Sequence, residues 1–387
     1  MKRPPSELAA GDARHMLRCL ELAEAYRGWT SPNPMVGCVI VGADGQVLAE
    51  GAHEGPGKRH AEIVALDKLG RTAKGATLYL NLEPCTHHGR TPPCAPVVRD
   101  AGLARVVIGT ADPVPGHGGG IRLLRRAGIA VTVGVERAAC ERSNRAFLTW
   151  GREGRPLFTL KAAITLDGKI ATARGESKWI TGPRARAEVM ALRHELHAVL
   201  AGIGTVLADD PQLTVRGIDG RDPHRIILDS KLRTPPAARL LRTRTDARTI
   251  IATTAKAPVT REKALVARGA EVWRVPARRD GRLDLQALAA RLGAEGITGV
   301  LVEGGGEVHA SFLEARLADR LVIYVAPKIV GGPGKSWVGG RGVARLSQAW
   351  EFELEGASTI GADLRVTLDR VAALTGPRTT GPRRPSR

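Results

Sequence analysis

Strand-length apolar segments alternate with segments of helical periodicity along the chain, and this alternation constrains the fold more than any other feature. In the first half, apolar runs at residues 36–41, 77–82 and 105–110 are separated by stretches whose spacing predicts helices. Such alternation is typical of a sheet covered by helices on both faces. It predicts a three-layer α/β domain over residues 1–148.

The alternation restarts after the stretch GREGRP, which we interpret as part of a linker over residues 149–156. The second half, residues 157–372, is predicted to hold a mostly parallel sheet with helices outside. Its predicted strands are 158–163, 198–201, 225–228, 249–253, 272–275 and 299–302. The remaining residues, 373–387, form a basic tail whose Gly, Pro, Thr and Arg content predicts disorder.

Length and charge limit the class of protein. At 387 residues the chain exceeds the roughly 250 to 300 residues that one hydrophobic core usually serves, which agrees with two domains. Its 58 basic residues against 39 acidic ones give a net charge of +19, which first suggests nucleic acid as a partner. Aromatic residues make up only 3 %, too few to stack against single strands. We therefore expect phosphorylated small molecules as partners and no nucleic acid.

Cysteine content and hydropathy predict a cytoplasmic protein. Five cysteines are too few and too irregularly spaced for a disulfide scaffold, and we interpret Cys19, Cys38 and Cys140 as small core residues. No run reaches the roughly 18 to 20 uninterrupted apolar residues that a membrane span needs. The opening sequence MKRPPSELAAGD lacks the apolar stretch of a secretory signal, so no membrane contact is expected.

One histidine and two of the cysteines have the arrangement of a catalytic zinc site. His60 opens an amphipathic segment, Cys85 follows a predicted strand, and Cys94 comes after eight intervening residues. A catalytic zinc takes three protein ligands and leaves one position to water, which it makes acidic. Glu62 is too close in sequence to His60 for a comfortable fourth ligand, but it could transfer a proton from that water to a leaving amine.

The order H-x-E followed by P-C agrees with the signature of zinc nucleobase deaminases, although that signature separates its cysteines by two residues. Two alternatives stay open at this point. A nucleic-acid base deaminase would explain the positive charge. A structural zinc would need a fourth ligand, for which His87 and His88 are the candidates.

A glycine turn in the second half is a candidate phosphate site. Three glycines, residues 304–306, follow an apolar strand and precede a helical stretch, so backbone amides and the helix dipole point at the turn. The turn does not match the G-x-G-x-x-G fingerprint, and a simple tight turn would have the same sequence. Ser230, Lys231 and Arg233 follow another strand, where a hydroxyl and two cations suit a ribose 2′-phosphate and favour NADPH over NADH.

These segments resemble a single family along nearly the whole chain. SPNPMVGCVIV, HAEIVAL and NLEPCTHHGRTPPC are similar to the deaminase half of the bifunctional deaminase and reductase family of riboflavin biosynthesis, the RibD type. KAAITLDGKIAT, GESKWIT, GIGTVLADDPQLTVR and VEGGGEVHASFLE are similar to its reductase half. The resemblance implies an α/β protein with an N-terminal cytidine-deaminase-like domain and a C-terminal dihydrofolate-reductase-like domain. The long cysteine spacing is that family's variant of the motif.

The resemblance also implies two consecutive reactions. The deaminase would convert the 2-amino group of a diaminopyrimidinone ribosyl phosphate to a carbonyl, and the reductase would use NADPH to turn the ribosylamino chain into a ribitylamino chain. One Zn²⁺ per chain would be bound by His60, Cys85 and Cys94, with Glu62 as the proton shuttle. Homo-oligomerisation is left open.

The remaining site residues are implied position by position. The NADPH contacts are Ala163, Trp179, Thr205, Asp209, Ser230, Gly305, Gly306, Glu307, Val308, His309, Ala310 and Ser311. The reductase substrate contacts are Ser177, Arg193, Leu213, Arg216 and Glu303. Taken alone, Trp179 would more often be a core residue, and Asp209 part of a capped turn.

The deaminase half offers further substrate contacts. Asn33 lies in a turn bracketed by prolines, where its amide can hydrogen-bond a pyrimidine edge. His53, His88 and Arg90 are candidates on weaker grounds. Val114 stands where the family more often has a polar residue, which argues against substrate contacts from its loop.

Overall fold

The computed structural model describes residues 5–371, so the predicted basic tail over residues 373–387 lies outside the described residues. Helices and strands alternate through the first half, as the periodicity predicts. Their bounds are α1 Pro5–Glu24, β1 Gly37–Val41, β2 Val47–Ala52, α2 Ala61–Asp67, β3 Thr77–Leu82, α3 Cys94–Asp100, β4 Arg105–Thr110, α4 Gly120–Arg126, β5 Ala130–Val133, α5 Arg137–Ser143 and α6 Arg145–Glu153.

Within residues 5–371, five strands of the first half form the first sheet, in the order β2-β1-β3-β4-β5. β1 pairs antiparallel with β2 and β3, whereas β3, β4 and β5 run parallel. α2, α3 and α4 pack on one face of this sheet, and α1 and α5 pack on the other. This confirms the predicted three-layer domain. Cys19, Cys38 and Cys140 are fully buried between these layers, which confirms them as core residues.

The second half restarts the alternation with a longer series of elements. Their bounds are β6 Leu157–Thr165, β7 Lys169–Ala171, α7 Pro183–Glu195, β8 Ala198–Gly202, α8 Ile203–Asp209, β9 His224–Leu228, α9 Arg239–Arg242, β10 Thr249–Thr253, α10 Val259–Val266, β11 Glu271–Arg274, α11 Leu285–Ala294, β12 Gly299–Val302, α12 Gly306–Glu314, β13 Arg320–Ala326, β14 Lys335–Ser336, β15 Phe352–Ile360 and β16 Asp363–Arg370, with a short 3₁₀ helix at Leu346–Gln348.

In the described part of the chain, nine of these strands form the second sheet, in the order β11-β10-β9-β8-β12-β6-β13-β16-β15. The strands from β11 to β13 run parallel, and β16 and β15 add an antiparallel edge. The mostly parallel sheet is therefore confirmed. The sequence prediction stopped at β12. It missed β15 because most side chains of that edge strand are exposed, which leaves little apolar pattern, whereas β13 has a plain apolar run that could have been predicted.

The two halves pack directly against each other at α6. This helix runs to Glu153, so residues 149–153 of the predicted linker 149–156 are helical and only three residues connect α6 to β6. The glycines and arginines of this stretch suggested a linker, but the indole of Trp150 holds the helix in place by donating from Nε1 to the Gly293 carbonyl of the second half at 2.9 Å. Where the chain divides into domains stays a prediction.

None of the helices within residues 5–371 is long and apolar enough to cross a membrane.

Candidate active sites

His60, Cys85 and Cys94 converge in the first half. Their ligand atoms all lie within 4.8 Å of one another. Nδ1 of His60 lies 3.1 Å from Sγ of Cys94 and 3.6 Å from Sγ of Cys85. Ligands around a tetrahedral zinc, with bonds of about 2.0 to 2.3 Å, are separated by similar distances. The three side chains therefore fit a zinc ion, with Nδ1 as the imidazole ligand.

Local structure explains this convergence. His60 precedes the first residue of α2, Cys85 follows the end of β3, and Cys94 is the first residue of α3. The N-terminus of each helix carries partial positive charge, which favours thiolate over thiol. The other ring nitrogen of His60, Nε2, lies 3.2 Å from the Thr91 hydroxyl. With Nδ1 as the ligand, Nε2 carries the proton and donates it to Thr91, which fixes the ring.

The number of ligands distinguishes a catalytic zinc from a structural one. Among the residues that the structure describes, the cluster holds three ligands, and neither His87 nor His88 joins it. Structural zinc sites are closed by four protein ligands. The alternative of a structural zinc is therefore not supported, and the geometry leaves one position for a reacting molecule.

Glu62 lies in the first turn of α2 and is 3 % exposed. Burial raises the pKa of its carboxyl to about 7. A carboxyl group with this pKa accepts and releases protons near neutral pH, as a general acid and base must. Within the ligand pair, the hydrogen bond from Cys94 lowers the pKa of the Cys85 thiol.

The zinc cluster opens into a cavity of about 330 Å³. Asn33 and His53 line it, and Nδ2 of Asn33 donates to Nε2 of His53 at 3.0 Å. Nδ1 of His53 lies 3.2 Å from the Arg59 carbonyl, so that nitrogen donates and Nε2 is free to accept. Glu62 and the exposed Arg90 line the same cavity. The structure thus brings Asn33, His53 and Arg90 to the site.

The structure places His88 differently from the other candidate substrate contacts. Its side chain is exposed and is not among the residues that line the cavity, whereas the neighbouring His87 does line it. The His87 ring stacks on His117 with 3.7 Å between the ring centroids. Consecutive histidines cannot be told apart by spacing alone, and only the path of the loop decided which one faces inward.

Glu83 is a buried residue that the sequence analysis missed. One oxygen of its carboxylate accepts from the backbone N–H groups of Gly119 and Ile121, at 2.8 and 3.0 Å, and the other accepts from Asp112 at 3.1 Å. It therefore holds the loop that carries Asp112 and His117 against the cavity. A carboxylate at the end of β3, directly before Pro84 and Cys85, was the available signal.

In the second half, Arg193 and Glu303 form a buried ion pair. Nε and Nη2 of Arg193 donate to the two carboxylate oxygens of Glu303 at 2.6 and 2.9 Å. Burial raises the pKa of Glu303, but the charge and hydrogen bonds of Arg193 outweigh that effect, and the net pKa is lowered. Lys161 lies close enough to lower it further, although its own pKa is lowered by burial. Lys161 was missed because a lone lysine in a strand gives no signal in sequence.

Three other predicted substrate residues of the second half have different surroundings. Arg216 donates from Nη1 to the hydroxyl of Thr214 at 3.1 Å, and Nη1 of Arg193 donates to the carbonyl of the same threonine at 2.8 Å. Ser177 is partly buried. Leu213 is 2 % exposed and packs in an apolar core cluster. The structure therefore groups Arg193, Arg216 and Glu303 most closely.

The predicted cofactor residues follow the carboxyl ends of neighbouring parallel strands, which is where ligands bind in open α/β sheets. Ser230 follows β9, Thr205 and Asp209 belong to α8 directly after β8, and residues 305–311 begin α12 after β12. Thr205 and Asp209 therefore lie on a helix.

Trp179 lies next to Lys178, and Nζ of Lys178 lies 3.5 Å from Oδ1 of Asp209. The indole is 62 % exposed, so it is not the core residue that its type alone suggested. Ala163 is partly buried in β6.

The two sites lie at opposite ends of β12. Gly296 and Thr298, which precede this strand, line the zinc cavity, whereas Glu303 follows it. Because successive residues of a strand advance by about 3.3 Å, the two centres are separated by more than the length of the strand.

The fold and the three-ligand geometry define a zinc-binding deaminase domain joined to a second, mostly parallel α/β domain. Family models agree with this division. Residues 10–110 match the cytidine and deoxycytidylate deaminase zinc-binding region, and residues 156–366 match the RibD C-terminal domain.

Relatives match along almost the whole chain. The riboflavin biosynthesis protein RibD of Actinobacillus pleuropneumoniae is 42 % identical over 355 residues, covering 91 % of this chain and 94 % of the relative. The RibD protein of Escherichia coli (strain K12) is 39 % identical over 376 residues, covering 91 % and 98 %.

Solved structures agree with these sequence matches. A structure of Acinetobacter baumannii RibD has a TM-score of 0.85 at 36 % identity and covers 93 % of this chain and 99 % of its own. The diaminohydroxyphosphoribosylaminopyrimidine deaminase/5-amino-6-(5-phosphoribosylamino)uracil reductase of Thermotoga maritima has a TM-score of 0.82 at 36 % identity, covering 94 % and 99 %.

The chain therefore belongs to the RibD family of bifunctional deaminase/reductase enzymes of riboflavin biosynthesis. Its N-terminal domain is of the cytidine deaminase type with a His, Cys, Cys zinc site, and its C-terminal domain is the dihydrofolate-reductase-like reductase. A reductase domain of this kind implies a reduced nucleotide cofactor.

Proposed function

We propose that this enzyme deaminates 2,5-diamino-6-ribosylamino-4(3H)-pyrimidinone 5′-phosphate and then reduces 5-amino-6-(5-phosphoribosylamino)uracil with NADPH. The convergence of His60, Cys85 and Cys94 beside Glu62 carries the proposal, because it supplies a three-ligand zinc site with a buried proton carrier. The Thermotoga maritima relative, which carries both activities in its name, supports the choice of substrates.

In the deaminase half, these three residues would hold zinc, which would supply the Lewis acidity that makes water ionise near neutral pH. Glu62 is buried beside these ligands and lines the same cavity, so it would take a proton from that water and deliver it to the departing amine. Asn33 is held by its bond to His53 at the cavity wall, where its amide oxygen can accept from a pyrimidine N–H. The phosphorylated end of the substrate has Arg90 as a cation at the cavity rim.

In the reductase half, the proposed substrate site consists of Arg193, Arg216 and Glu303 together with Ser177 and Leu213. Burial and the neighbouring charge of Arg193 lower the pKa of Arg216. A cation whose charged form is destabilised in this way gains most from an anionic ligand, so we assign Arg216 to the substrate phosphate.

NADPH supplies the hydride, and the protein aligns donor and acceptor. The proposed cofactor contacts are Ala163, Trp179, Thr205, Asp209, Ser230 and the segment from Gly305 through Gly306, Glu307, Val308, His309 and Ala310 to Ser311. The glycine turn before α12 supports this placement, because its backbone amides and helix N-terminus suit a phosphate. Ser230 beside Lys231 favours the 2′-phosphate of NADPH over NADH.

Compartment and assembly complete the proposal. The five cysteines are unpaired, which supports a reducing, cytoplasmic location. β15 lies at the edge of the second sheet, and Leu354 on it is 64 % exposed. An exposed edge strand with apolar side chains suits pairing with a second copy, so we propose a homo-oligomer that contacts through this edge.

One assay tests the proposed reactions. Zinc-loaded full-length protein is mixed with the diaminopyrimidinone ribosyl phosphate and NADPH, and ammonia release and nicotinamide absorbance are followed together. We expect ammonia to appear first and NADPH to be consumed afterwards. NADPH consumption without ammonia release, or no consumption at all, contradicts the proposal.

A further inference from the structure

Residues 27–29 of the deaminase half lie against the end of α7 in the reductase half. Nη1 of Arg27 donates to Oε1 of Glu195 at 2.6 Å. The indole of Trp29 meets the His194 ring edge-on, with 4.9 Å between the ring centroids. A short stretch of the first half therefore touches the helix that carries a proposed reductase substrate residue.

Arg221, in the loop that leads to β9, adds a second connection. Its Nε donates to the Gly28 carbonyl and its Nη2 to the Leu196 carbonyl, each at 3.2 Å. Its backbone N–H donates to Nδ1 of His194 at 2.9 Å, so the proton of that ring lies on Nε2. This one arginine joins the deaminase backbone, the end of α7 and the loop.

The His194 ring is enclosed by two glycines, one from each half. A Cβ atom on Gly28 would lie 2.6 Å from ring atoms of His194, and one on Gly220 would lie 3.1 Å from them. Gly28 also has a φ of +80°, which few other residues adopt. Because a Cβ on Gly28 would clash with the ring and one on Gly220 would be a tight contact, both halves closely confine the position of the ring.

The fixed ring is the direct neighbour of Arg193 on α7. Arg193 extends from the helix to Glu303 and to the Thr214 carbonyl, which it reaches at 2.8 Å. A shift or rotation at the end of α7 would move this guanidinium relative to both partners. The orientation of Arg193 therefore depends on what holds His194.

Arg221 positions the loop at residues 213–222 in the same way that His194 positions Arg193. The side chain of the adjacent Asp222 accepts from the backbone N–H of Val215 at 2.7 Å, which closes the loop on itself. The closed loop carries Arg216, the proposed phosphate ligand. Holding Arg221 to the Gly28 carbonyl therefore fixes the loop from the deaminase side.

We propose that Trp29, His194 and Arg221 are positioning residues for the reductase, through which the deaminase half holds the substrate-binding parts of α7 and of the 213–222 loop in place. The inference rests on the proposed function, since the substrate contacts are assigned there. The reductase has full affinity for its phosphorylated substrate only while residues 27–29 are packed against it. NADPH, which is bound by other loops, does not depend on this contact.

The test is steady-state kinetics of the zinc-loaded, full-length protein. Trp29→Ala removes the contact with His194 from the deaminase side. We expect the KM for 5-amino-6-(5-phosphoribosylamino)uracil to rise about five- to tenfold, while the KM for NADPH and kcat change less than about twofold. Leu48→Ala is the control, since Leu48 is an exposed apolar residue on β2, away from this contact, and it leaves both KM values unchanged.

A pair of variants at His194 separates the hydrogen bond from packing. His194→Phe keeps a ring beside Trp29 but removes the acceptor for Arg221, whereas His194→Asn keeps an acceptor oxygen near the position of Nδ1. We expect the substrate KM to rise about five- to tenfold in both variants, in His194→Phe because the hydrogen bond from Arg221 is lost and in His194→Asn because the ring contact with Trp29 is lost.

A wild-type substrate KM in either His194 variant overturns the inference, and so does an equal rise in the KM for NADPH. A wild-type substrate KM in Trp29→Ala has the same consequence. If Trp29→Ala does not fold, the His194 pair decides alone. Wild-type protein that oxidises no NADPH with this substrate instead rejects the proposed function.

Discussion

The zinc site is built from residues that are close together in the sequence, whereas the residues of the proposed reductase site are far apart in it. The zinc ligands and Glu62 come from 35 consecutive residues, from His60 to Cys94, on two helix starts and one strand end. The proposed reductase residues are spread from Ala163 to Ser311, and most of the proposed cofactor contacts follow the aligned carboxyl ends of parallel strands. A zinc site restricts the types of residue that can form it, because few side chains bind the ion. A cofactor site built largely on turns and backbone groups instead restricts the backbone geometry.

Because of this difference, we expect substitutions at the two sites to have different effects. The zinc site depends on a few side chains, and we expect their replacement to abolish one reaction and to leave the fold intact. The reductase site depends on a buried ion pair and on loops held by the other half, so its variants also affect stability or substrate affinity.

The largest effect is expected from Cys94→Ala. Loss of one thiolate removes bound zinc, because two remaining ligands do not hold the ion firmly, and ammonia release falls below detection. NADPH-dependent reduction by the same protein stays within about twofold of the wild-type rate, because the second site lies beyond β12. Elemental analysis and the two assays check this. Loss of both activities would show instead that the zinc site is needed for the structure of the reductase half as well.

Glu62→Gln tests the proton carrier separately from the metal. We expect deamination to fall about 10²- to 10⁴-fold, which is the usual contribution of a general acid and base, while zinc content is unchanged. Metal analysis and kcat for ammonia release provide the measurement. If zinc is lost together with activity, Glu62 is a ligand and the assignment of its role is wrong.

Arg193→Ala sharpens the contrast on the reductase side. The change leaves the buried Glu303 carboxylate without its two hydrogen bonds from Arg193 and with only Lys161 as a nearby cation, so the free energy of unfolding is expected to fall by about 3 kcal/mol. Urea unfolding of the full-length protein measures it. The double variant Arg193→Met with Glu303→Gln, which removes both charges, should recover much of the loss. A stable Arg193→Ala protein would show that water reaches the pair.

Arg216→Ala is expected to have the smallest effect on the fold. Its guanidinium donates to the Thr214 hydroxyl at 3.1 Å, so we expect the free energy of unfolding to change by less than about 1 kcal/mol. The KM for the phosphorylated substrate should rise about tenfold or more, while the KM for NADPH stays constant, because a charge-assisted bond to phosphate is lost. Equal changes in both KM values would remove Arg216 from the substrate site.

Particular residues show how far sequence reasoning reached. The zinc ligands were predictable because imidazole and thiolate at these positions have few other uses together. The choice between His87 and His88 was not, because loop direction decides it. Glu83 and Lys161 were missed since their partners, the amides of residues 112–121 and the Arg193–Glu303 pair, are distant in sequence. The predicted linker at 149–156 failed to anticipate the last turn of α6, which tertiary contacts of Trp150 stabilise.

Sequence by itself determined the two α/β halves and the zinc ligands, because apolar periodicity and ligand chemistry are properties of residue type and local spacing. Only the tertiary structure decided which side chains face each cavity, that Arg193 is neutralised by Glu303, and that residues 27–29 of one half touch the substrate helix of the other. Those contacts join residues that are more than a hundred positions apart. Their energy depends on distance and burial in the folded chain, and neither is encoded by local pattern.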